Sequence, residues 1–331
     1  MRKIYIIGGS GFIGTNLYSQ LLKNSSLSCF ILDKVVSNYF TNDSKIADVR
    51  NIEELLEQIP YGAEIINLAA EHTDNVSPIS LYHEVNVIGA QNICDVARIK
   101  NINKIIFTSS VAVYGFAPVG TDENGNIAPF NEYGKSKWEA EQVYKKWQEE
   151  DSQNRTLVIV RPTVVFGKRN RGNVFNLLKQ IASGKFLMVG NGLNRKSLAY
   201  VENVSAFLEF SLMFKPGIHV YNYIDKPDFS MNQLVAHVHT LLNRQSRIKL
   251  RLPFVLGVAI GNVFDLIAFL FRKKFAISSI RVKKFCANSV FESAVDKTGF
   301  IPPVSLVEAI QRTVRYEFIE SHDNEQVFYT E

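Results

Sequence analysis

The N-terminal segment constrains the fold more than any other part of this chain. Residues 3–7 form a short apolar run, which breaks into a turn that carries Gly8, Gly11 and Gly14. A helical pattern of leucines follows over 17–22. Because a strand, a glycine turn and a helix follow one another directly, the segment predicts the first β–α unit of a parallel sheet.

The same turn predicts a binding site for a dinucleotide. Glycines let the backbone approach a pyrophosphate closely, and the helix N-terminus behind them supplies N–H groups and the positive end of a dipole. A second apolar strand, residues 29–32, ends in Asp33. A carboxylate at this place accepts hydrogen bonds from the adenosine ribose and repels a 2′-phosphate. NAD is therefore favoured over NADP, although the neighbouring Lys34 weakens that preference.

Strands and helices continue to alternate over the first half of the chain. An acidic helix is predicted at 51–59 and a longer helix at 79–100, and apolar strands are predicted at 64–70, where the strand runs into small residues, and at 104–107. Strands that are apolar throughout are typical of a parallel sheet that helices cover on both faces. The predicted fold class is α/β, with a Rossmann-type doubly wound parallel sheet.

The regular alternation fades from about residue 168. We predict an NAD-binding domain over 1–167 and a smaller C-terminal substrate-binding domain over 168–331. A chain of 331 residues agrees with two domains. Residues 219–224 are expected to return to the first domain as a strand.

Composition excludes several classes of function. The net charge of +5 is small and the acids and bases are mixed along the chain, so nucleic-acid binding has no support. Cys29, Cys94 and Cys286 are far apart, so neither a disulfide framework nor a zinc site is predicted, and a reducing cytoplasm fits best. The apolar run at the N-terminus is too short for a signal peptide.

Three polar residues predict the chemistry. Tyr133 and Lys137 are four residues apart at the start of a predicted helix, so they share one helix face. A nearby ammonium favours the phenolate, which would make Tyr133 a base near neutral pH. Ser110 follows the strand at 104–107, at the sheet edge where open α/β sheets bind ligands. We expect its hydroxyl to share a substrate oxygen with Tyr133.

These elements together resemble the extended short-chain dehydrogenase/reductase family of nucleotide-sugar epimerases, dehydratases and reductases. The likeness covers nearly the whole chain. It rests on Gly8-x-x-Gly11-x-x-Gly14, Asp33, Asp48-Val49, Leu68-Ala69-Ala70, Asn86, Ser109-Ser110, Tyr133-x-x-x-Lys137 and the segment Arg161 to Gly167.

The resemblance assigns roles to individual residues. It implies that Ser110, Tyr133 and Lys137 are the catalytic set, with Lys137 also binding the nicotinamide ribose. It places Asp48 and Val49 near adenine. The further cofactor-binding residues expected are Gly8, Ser10, Gly11, Phe12, Ile13, Gly14, Asp33, Leu68, Ala69, Ala70, Asn86 and Pro162. The substrate residues expected are Ser110, Thr163, Asn173 and Arg195.

Departures from the family patterns narrow the reaction. The 4,6-dehydratases carry an Asp-Glu pair directly after the active-site hydroxyl, whereas Ser110 is followed by Val111 and Ala112. Neither side chain titrates, so dehydration is not expected. The acid and arginine residues that decarboxylating members need are not found in that loop. A 4-epimerase or a 4-ketosugar reductase remains.

Four segments suggest a substrate. Residues 68–76, 169–174, 196–201 and 279–286 resemble the bacterial 4-epimerases of O-antigen assembly. Those enzymes convert N-acetylglucosamine to N-acetylgalactosamine while the sugar is linked through diphosphate to undecaprenol. A UDP-N-acetylglucosamine 4-epimerase and a nucleotide-linked 4-ketosugar reductase stay open as alternatives.

Basic residues in the second half are candidates for holding the substrate diphosphate. Arg169, Arg171, Arg195 and Lys196 lie near turn signals, and guanidinium groups pair well with phosphate. The resemblance also implies a homodimer that packs through the helices near 79–100 and 133–150.

The segment 252–284 is apolar and then basic. Its apolar part, up to Phe271, has the length to span a bilayer, but Asp265 near the centre would cost roughly 2.5–3.5 kcal/mol there. A helix in the membrane interface beside anionic lipid fits better, and a buried domain helix is the alternative. With the lipid-linked substrate, this predicts a cytoplasmic protein that is peripheral on the inner face of the cytoplasmic membrane.

Overall fold

The computed structural model describes residues 1–73, 76–244, 250–271, 278–322 and 325–330. Asp74 and Asn75, which belong to the quoted segment 68–76, lie outside the described residues. So do the basic residues 272–274 and the side chains of residues 268, 269 and 271.

The described residues form helices and strands that alternate regularly in the first half of the chain. The strands are β1 (Arg2–Ile7), β2 (Leu27–Asp33), β3 (Ser44–Ile46), β4 (Glu64–Asn67), β5 (Lys104–Thr108), β6 (Thr156–Pro162), β7 (Val164–Phe166), β8 (Met188–Val189), β9 (Arg195–Tyr200), β10 (Gly217–Tyr223), β11 (Asp225–Ser230) and β12 (Arg251–Leu252). The helices are α1 (Phe12–Leu21), α2 (Ile52–Gln58), α3 (Leu81–His83), α4 (Gly89–Ile99), α5 (Glu132–Glu149), α6 (Asn173–Ala182), α7 (Val201–Ser211), α8 (Met231–Leu241), α9 (Phe254–Phe271), α10 (Ser279–Cys286) and α11 (Leu306–Phe318). A π-helical turn, Glu84–Ile88, joins α3 to α4.

Seven strands form one parallel sheet in the order β10-β6-β5-β4-β1-β2-β3. Successive side chains of a strand point to opposite faces, and both faces are buried here. Ile4 and Ile6 of β1 pack in the core that includes α1 and α7. Tyr5 and Ile7 pack in the core that includes α2, α4 and α5. The structure confirms the predicted α/β class with a Rossmann-type doubly wound sheet.

The chain returns to this sheet after residue 168. Strand β10 pairs in parallel with β6, from Gly217 opposite Thr156 to Tyr223 opposite Pro162. The strand expected at 219–224 is therefore found, shifted by one or two residues. Helix α7 packs against α1 on one face of the sheet. The domain boundary at residue 167 stays a prediction. Both α7 and β10 come after that residue in the chain but pack with elements of the predicted first domain.

A second, smaller group of elements lies beyond the sheet. Strands β11, β9 and β7 form a three-stranded sheet, and β12 pairs with β8. Helices α6, α8 and α11 share a core with these strands through side chains such as Leu178, Leu234 and Ile310. This group begins directly after β6, so it lies against the carboxyl edge of the parallel sheet, where ligands bind in folds of this class.

Helices α9 and α10 form a hairpin. The backbone of Ser279 lies so close to Gly261 that a Cβ on this glycine would come within 2.6 Å of it. The Asp265 carboxylate accepts a hydrogen bond from the Ser279 N–H at 3.1 Å, which gives the one acid of α9 a structural partner. Among the described residues, no helix is long and apolar enough to cross a membrane.

A buried ion pair joins α5 to the parallel sheet. The Glu141 carboxylate is fully buried and binds the Arg161 guanidinium through two contacts, at 2.8 and 2.6 Å. The Ser109 hydroxyl donates to the same carboxylate at 2.6 Å. Arg161 also donates to the Tyr114 hydroxyl at 2.6 Å. The pair therefore connects β5, β6 and α5 at the carboxyl edge of the sheet.

We predict that Glu141→Ala destabilises the protein by about 3–5 kcal/mol, because it leaves the Arg161 charge buried without a partner. Urea denaturation monitored by circular dichroism measures the effect. Glu149→Ala is the matched control, since Glu149 is an exposed residue of the same helix. Equal midpoints for the two variants would contradict the prediction.

Candidate active site

The glycine turn between β1 and α1 has no room for side chains on its inner side. Gly8 has a φ of +78°, and a Cβ there would lie 2.5 Å from the Ala69 nitrogen. A Cβ on Gly14 would lie 2.5 Å from the Gly9 Cα. Gly11 is open by comparison, since the nearest atom to its Cβ position is 3.5 Å away. The turn is therefore packed on one side and open on the other.

The open side faces the N-terminus of α1. Gly11 is the N-cap of this helix and provides no side-chain hydrogen bond to it. The first N–H groups of a helix, here those of Phe12 and Ile13, have no partner within the helix. They and the helix dipole form an anion site, which fits the pyrophosphate of a dinucleotide.

Asp33 lies beside this turn, at the end of β2. Its carboxylate accepts the N–H of Ser10 at 3.0 Å and the N–H of Val35 at 3.4 Å. Burial raises the pKa of Asp33, and these hydrogen bonds act in the opposite direction. The geometry fits recognition of an adenosine ribose, and with the glycine turn it accommodates NAD.

The next expected cofactor residues line the same edge of the sheet. Asp48 is held by the Arg50 guanidinium at 2.6 Å, which lowers the pKa of Asp48. Val49 is buried against Gly89, where a Cβ would come within 2.8 Å of it. After β4, the Leu68 N–H donates to the Ile7 carbonyl at 2.8 Å, which fixes the start of the segment Leu68 to Ala70.

Asn86 connects this segment to α5. It lies in the π-helical turn Glu84–Ile88, and its side-chain amide donates to the Ser136 hydroxyl at 2.9 Å. Its side-chain oxygen accepts the Glu71 N–H at 2.9 Å. Turns of this type are frequent at functional sites. Asn86 is buried behind the first turn of α5 and positions that turn.

Ser110 and Tyr133 are brought together by a close approach of backbones. Ser110 is the N-cap of a short 3₁₀ turn, and its hydroxyl accepts the Ala112 N–H at 3.1 Å. A Cβ on Gly134 would lie 2.5 Å from the Ala112 carbonyl oxygen, so the start of α5 lies directly against that turn. Ser110 lies near enough to Tyr133 for its hydroxyl to oppose the rise of the phenol pKa that burial causes.

Lys137 lies one turn further along α5 and is buried. Its Nζ donates to the Thr108 carbonyl at 2.8 Å and lies 4.7 Å from the centre of the Phe107 ring. Burial lowers the pKa of Lys137 to about 7, and the charge of Glu141 acts in the opposite direction.

The expected lowering of the tyrosine pKa is not found in the chain alone. Burial raises the pKa of Tyr133, and only the hydrogen bond from Ser110 opposes this. The physical reason is desolvation, which disfavours both the phenolate and the ammonium. Lys137 directs its Nζ at the Thr108 carbonyl and has a lowered pKa, so its charge does not dominate the environment of Tyr133.

The expected substrate residues lie on the elements that follow β6. Pro162 ends that strand, and the buried Thr163 donates its N–H to the Tyr223 carbonyl at 3.1 Å. Asn173 is the first residue of α6. The exposed Arg195 starts β9, and its backbone N–H donates to the Asn288 side chain at 2.8 Å.

A basic edge lies next to Arg195. The Lys196 Nζ donates to the Lys284 carbonyl at 2.8 Å, and burial lowers the pKa of Lys196 to about 8. The Lys284 Nζ lies 4.1 Å from the centre of the Phe130 ring. Phe130 precedes Tyr133 by three residues, so this edge adjoins the start of α5.

Arg169 and Arg171 are held by another acid. The Arg171 guanidinium pairs with the Glu317 carboxylate at 2.7 Å, and the Arg169 N–H donates to the same carboxylate at 2.7 Å. The Glu317 side chain is almost fully buried. Its charge offsets that of Arg171, so Arg171 fits a diphosphate less well than Arg195 does, whereas the Arg169 guanidinium lies 4.7 Å from the centre of the Tyr39 ring.

Sequence reasoning missed two groups at this site. Glu141 follows Tyr133 and Lys137 at a further four-residue step, and this helical spacing could have revealed it. Lys284 and Phe130 are 154 positions apart in the sequence, and no sequence pattern connects them. Only the packing of α10 against the loop before α5 brings them together.

Known proteins are similar to this chain in sequence and in fold. Residues 4–222 match the model of the NAD dependent epimerase/dehydratase family. The N-acetyl-alpha-D-glucosaminyl-diphospho-ditrans,octacis-undecaprenol 4-epimerase of Escherichia coli O157:H7 is 45% identical over 330 residues, which cover 99% of each chain.

Two solved structures have the same fold. The UDP-glucose 4-epimerase of Thermotoga maritima superposes with a TM-score of 0.73 at 19% identity, over 95% of this chain and 98% of its own. The UDP-N-acetylglucosamine 4-epimerase of Bacillus cereus superposes with a TM-score of 0.72 at 17% identity, with the same coverage. From the family match and the 45% identity, the chain belongs to the NAD-dependent epimerase/dehydratase family.

Proposed function

We propose that this protein is an NAD-dependent 4-epimerase that interconverts N-acetylglucosamine and N-acetylgalactosamine on undecaprenyl diphosphate. The product would serve the synthesis of O-antigen or a related surface polysaccharide. The observation that carries the proposal is the 45% identity, over almost the full length of both chains, with an epimerase of that substrate. The close approach of the turn that Ser110 caps to Gly134, the residue after Tyr133, supports it independently.

The side chains of the site suit a transient oxidation at the sugar C4. The glycine turn and Asp33 would hold NAD⁺, which would supply the hydride acceptor for C4 and allow the hydride to return to the opposite face of that carbon. Tyr133 takes the O4 proton and later gives it back, and Ser110 shares the hydrogen bond to O4. Lys137 holds the nicotinamide ribose. The proton and the hydride both return to the sugar, so no net oxidation occurs.

Dehydration does not fit the same site. Ser110 is followed by Val111 and Ala112, which carry no group able to move a proton at C5 or C6 of the sugar. Both residues belong to the 3₁₀ turn that packs against α5. The active-site loop therefore supports chemistry at C4 alone.

The basic edge at β9 and α10 suits the diphosphate of the substrate. Arg195 is exposed, and Lys196 and Lys284 lie beside it. Because the edge adjoins Phe130, a diphosphate held there keeps the attached sugar within reach of Tyr133. Anchoring at the diphosphate leaves the sugar ring free to turn over between the two hydride transfers, as epimerisation requires.

We further propose that α9 binds the membrane surface in which an undecaprenyl chain is embedded. Large apolar side chains of this helix are exposed, among them Val255 at 75%, Val263 at 56% and Leu266 at 58%. Arg281 and Lys283 on α10 add positive charge, which attracts anionic lipid by about 1 kcal/mol per residue. The exposed apolar face distinguishes this arrangement from a buried domain helix.

A homodimer through the helices near 79–100 and 133–150, whose main parts are α4 and α5, also stays a prediction. These two helices pack against each other on one side of the sheet. Ile88 and Ile99, at the two ends of α4, are partly exposed. Sedimentation equilibrium measures the assembly directly.

We predict that Tyr133→Phe lowers the turnover rate by about 10²–10⁴-fold, because the variant loses the group that takes the O4 proton. Tyr144→Phe is the matched control. It removes a hydroxyl from the same helix, one that accepts a hydrogen bond from the Asn67 side chain at 2.8 Å. That variant should lose stability, by about 1–3 kcal/mol, and keep its turnover rate. Equal turnover rates in the two variants would remove Tyr133 from the mechanism.

The purified protein should convert lipid-linked N-acetylglucosamine to N-acetylgalactosamine without added cofactor or reductant. The assay offers N-acetylglucosamine on undecaprenyl diphosphate and on UDP in parallel, and the released sugars are identified by chromatography. In heavy water the product should carry no deuterium at C4, because the hydride returns to the carbon that it left. Conversion of the UDP sugar alone would favour the nucleotide epimerase. A need for added reductant would favour the 4-ketosugar reductase.

Flotation with vesicles tests the membrane surface. The wild-type protein should float with vesicles that contain phosphatidylglycerol. The double variant Val263→Asp, Leu266→Asp should bind these vesicles with an affinity at least about tenfold lower, because two apolar side chains are no longer buried in lipid. Ile301→Asp is the control, since Ile301 is 83% exposed and lies near Arg2, away from α9. A wild-type protein that stays at the bottom would refute the surface.

A further inference from the structure

The last described residues of the chain, 325–330, lie across the cofactor side of the molecule. We name them the C-terminal strap. Phe328 pairs with the loop before α6, because its N–H donates to the Arg169 carbonyl at 2.8 Å and its carbonyl accepts the Arg171 N–H at 2.7 Å. The Thr330 hydroxyl donates to the Asn170 side chain at 3.0 Å. Backbone and side-chain contacts together fix the strap to this loop.

The strap also packs on the glycine turn. Phe328 is only 8% exposed and forms a small core with Phe12 and Val201. The ring centres of Phe328 and Phe12 are 5.7 Å apart. Phe12 is the first residue of α1, directly after the capping Gly11. The strap therefore covers the residue whose N–H belongs to the anion site.

One end of the strap contacts the adenosine side. The Tyr39 ring stacks on Phe328 with the ring centres 5.7 Å apart. The Tyr39 hydroxyl donates to the Gln326 carbonyl at 2.6 Å. Tyr39 belongs to the loop that follows β2 and Asp33, which is the candidate for binding the adenosine ribose.

The other end reaches the catalytic side. His72, in the loop after β4, lies near enough to the Thr330 backbone for that group to act on the pKa of the imidazole, which burial lowers. Lys137 lies near enough to His72 for its charge to act on that ring. The strap thus runs from the loop of Asp33, over the glycine turn, to the neighbourhood of Lys137. These three places would hold the two ends and the middle of a dinucleotide.

We propose that the C-terminal strap closes over bound NAD and retains it through successive turnovers. The purpose rests on the proposed function: an epimerase must use one cofactor molecule for both hydride transfers, and loss of the reduced cofactor would strand the oxidised sugar. Exchange of the cofactor then requires the strap to open. Phe328 is the positioning residue that keeps the strap closed, through its contacts with Phe12 and Tyr39.

Release of NAD from the loaded protein tests the proposal without any sugar. The protein is loaded with radiolabelled NAD⁺, passed through a desalting column and diluted into unlabelled NAD⁺, and the bound label is followed by filtration. Phe328→Ala should release the label about 10- to 100-fold faster, because a buried aromatic side chain is lost from the closed state. Tyr329→Ala is the matched control. Tyr329 is the next residue and is 76% exposed, so its loss should leave the release rate unchanged.

A second variant covers the case in which Phe328→Ala does not fold. Tyr39→Phe keeps the stacked ring and removes only the hydrogen bond to Gln326, so release should accelerate by about 2- to 10-fold. Cleavage after Glu325 by a glutamate-specific protease gives an independent reading of strap opening. Bound NAD⁺ should slow this cleavage in the wild-type protein and should protect Phe328→Ala much less.

Release rates for Phe328→Ala and Tyr39→Phe equal to that of the wild-type protein would overturn the proposal. So would cleavage after Glu325 at the same rate with and without NAD⁺. Neither result depends on the sugar or its carrier. A failed epimerase assay with slow, strap-dependent release would instead reject the proposed function and leave the strap in place.

Discussion

The arrangement of the active site depends on the burial of one carboxylate. Glu141 has no exposed surface and is bound by Arg161 from β6 and by Ser109, which directly follows β5, while its charge acts on Lys137 within α5. A buried charge is tolerated only when its partners are fixed. Fixing them sets the position of α5 relative to the ends of β5 and β6. Ser110 directly follows the bound Ser109, so the same constraint sets the distance between the two catalytic candidates.

Desolvation governs the charge state of the site. Burial raises the pKa of Tyr133 and lowers the pKa of Lys137, so it favours the neutral phenol and the neutral amine at the reaction centre. In such a poorly solvated site, the pKa of Tyr133 responds strongly to any charged group that binds beside it. The strap acts on the same property, since a segment that covers the cofactor also keeps water away from it.

The two proposals assign different functions to the C-terminal strap and to the α9–α10 hairpin. The parallel sheet and the C-terminal strap would enclose the cofactor, as proposed above; the sheet is held by backbone pairing and the strap also by aromatic packing. The α9–α10 hairpin instead leaves apolar side chains uncovered and places Lys284 beside Phe130. On the proposals above, a lipid-linked sugar bound from that side would reach Tyr133 while its carrier stays in the membrane. The strap would then retain the cofactor, while the α9–α10 side would stay open for exchange of substrate.

The sequence by itself determined the parallel sheet, the glycine turn and the helix that carries Tyr133 and Lys137. Each of these depends on residues that are neighbours in the chain, whose spacing sets a local backbone or a helix face. Tertiary structure decided the rest. Burial, not the Lys137 charge, controls the pKa of Tyr133. The Glu317 carboxylate forms an ion pair with the Arg171 guanidinium. Phe328 contacts Phe12, and Lys284 contacts Phe130, because segments far apart in the sequence pack together. No local sequence pattern predicts these contacts.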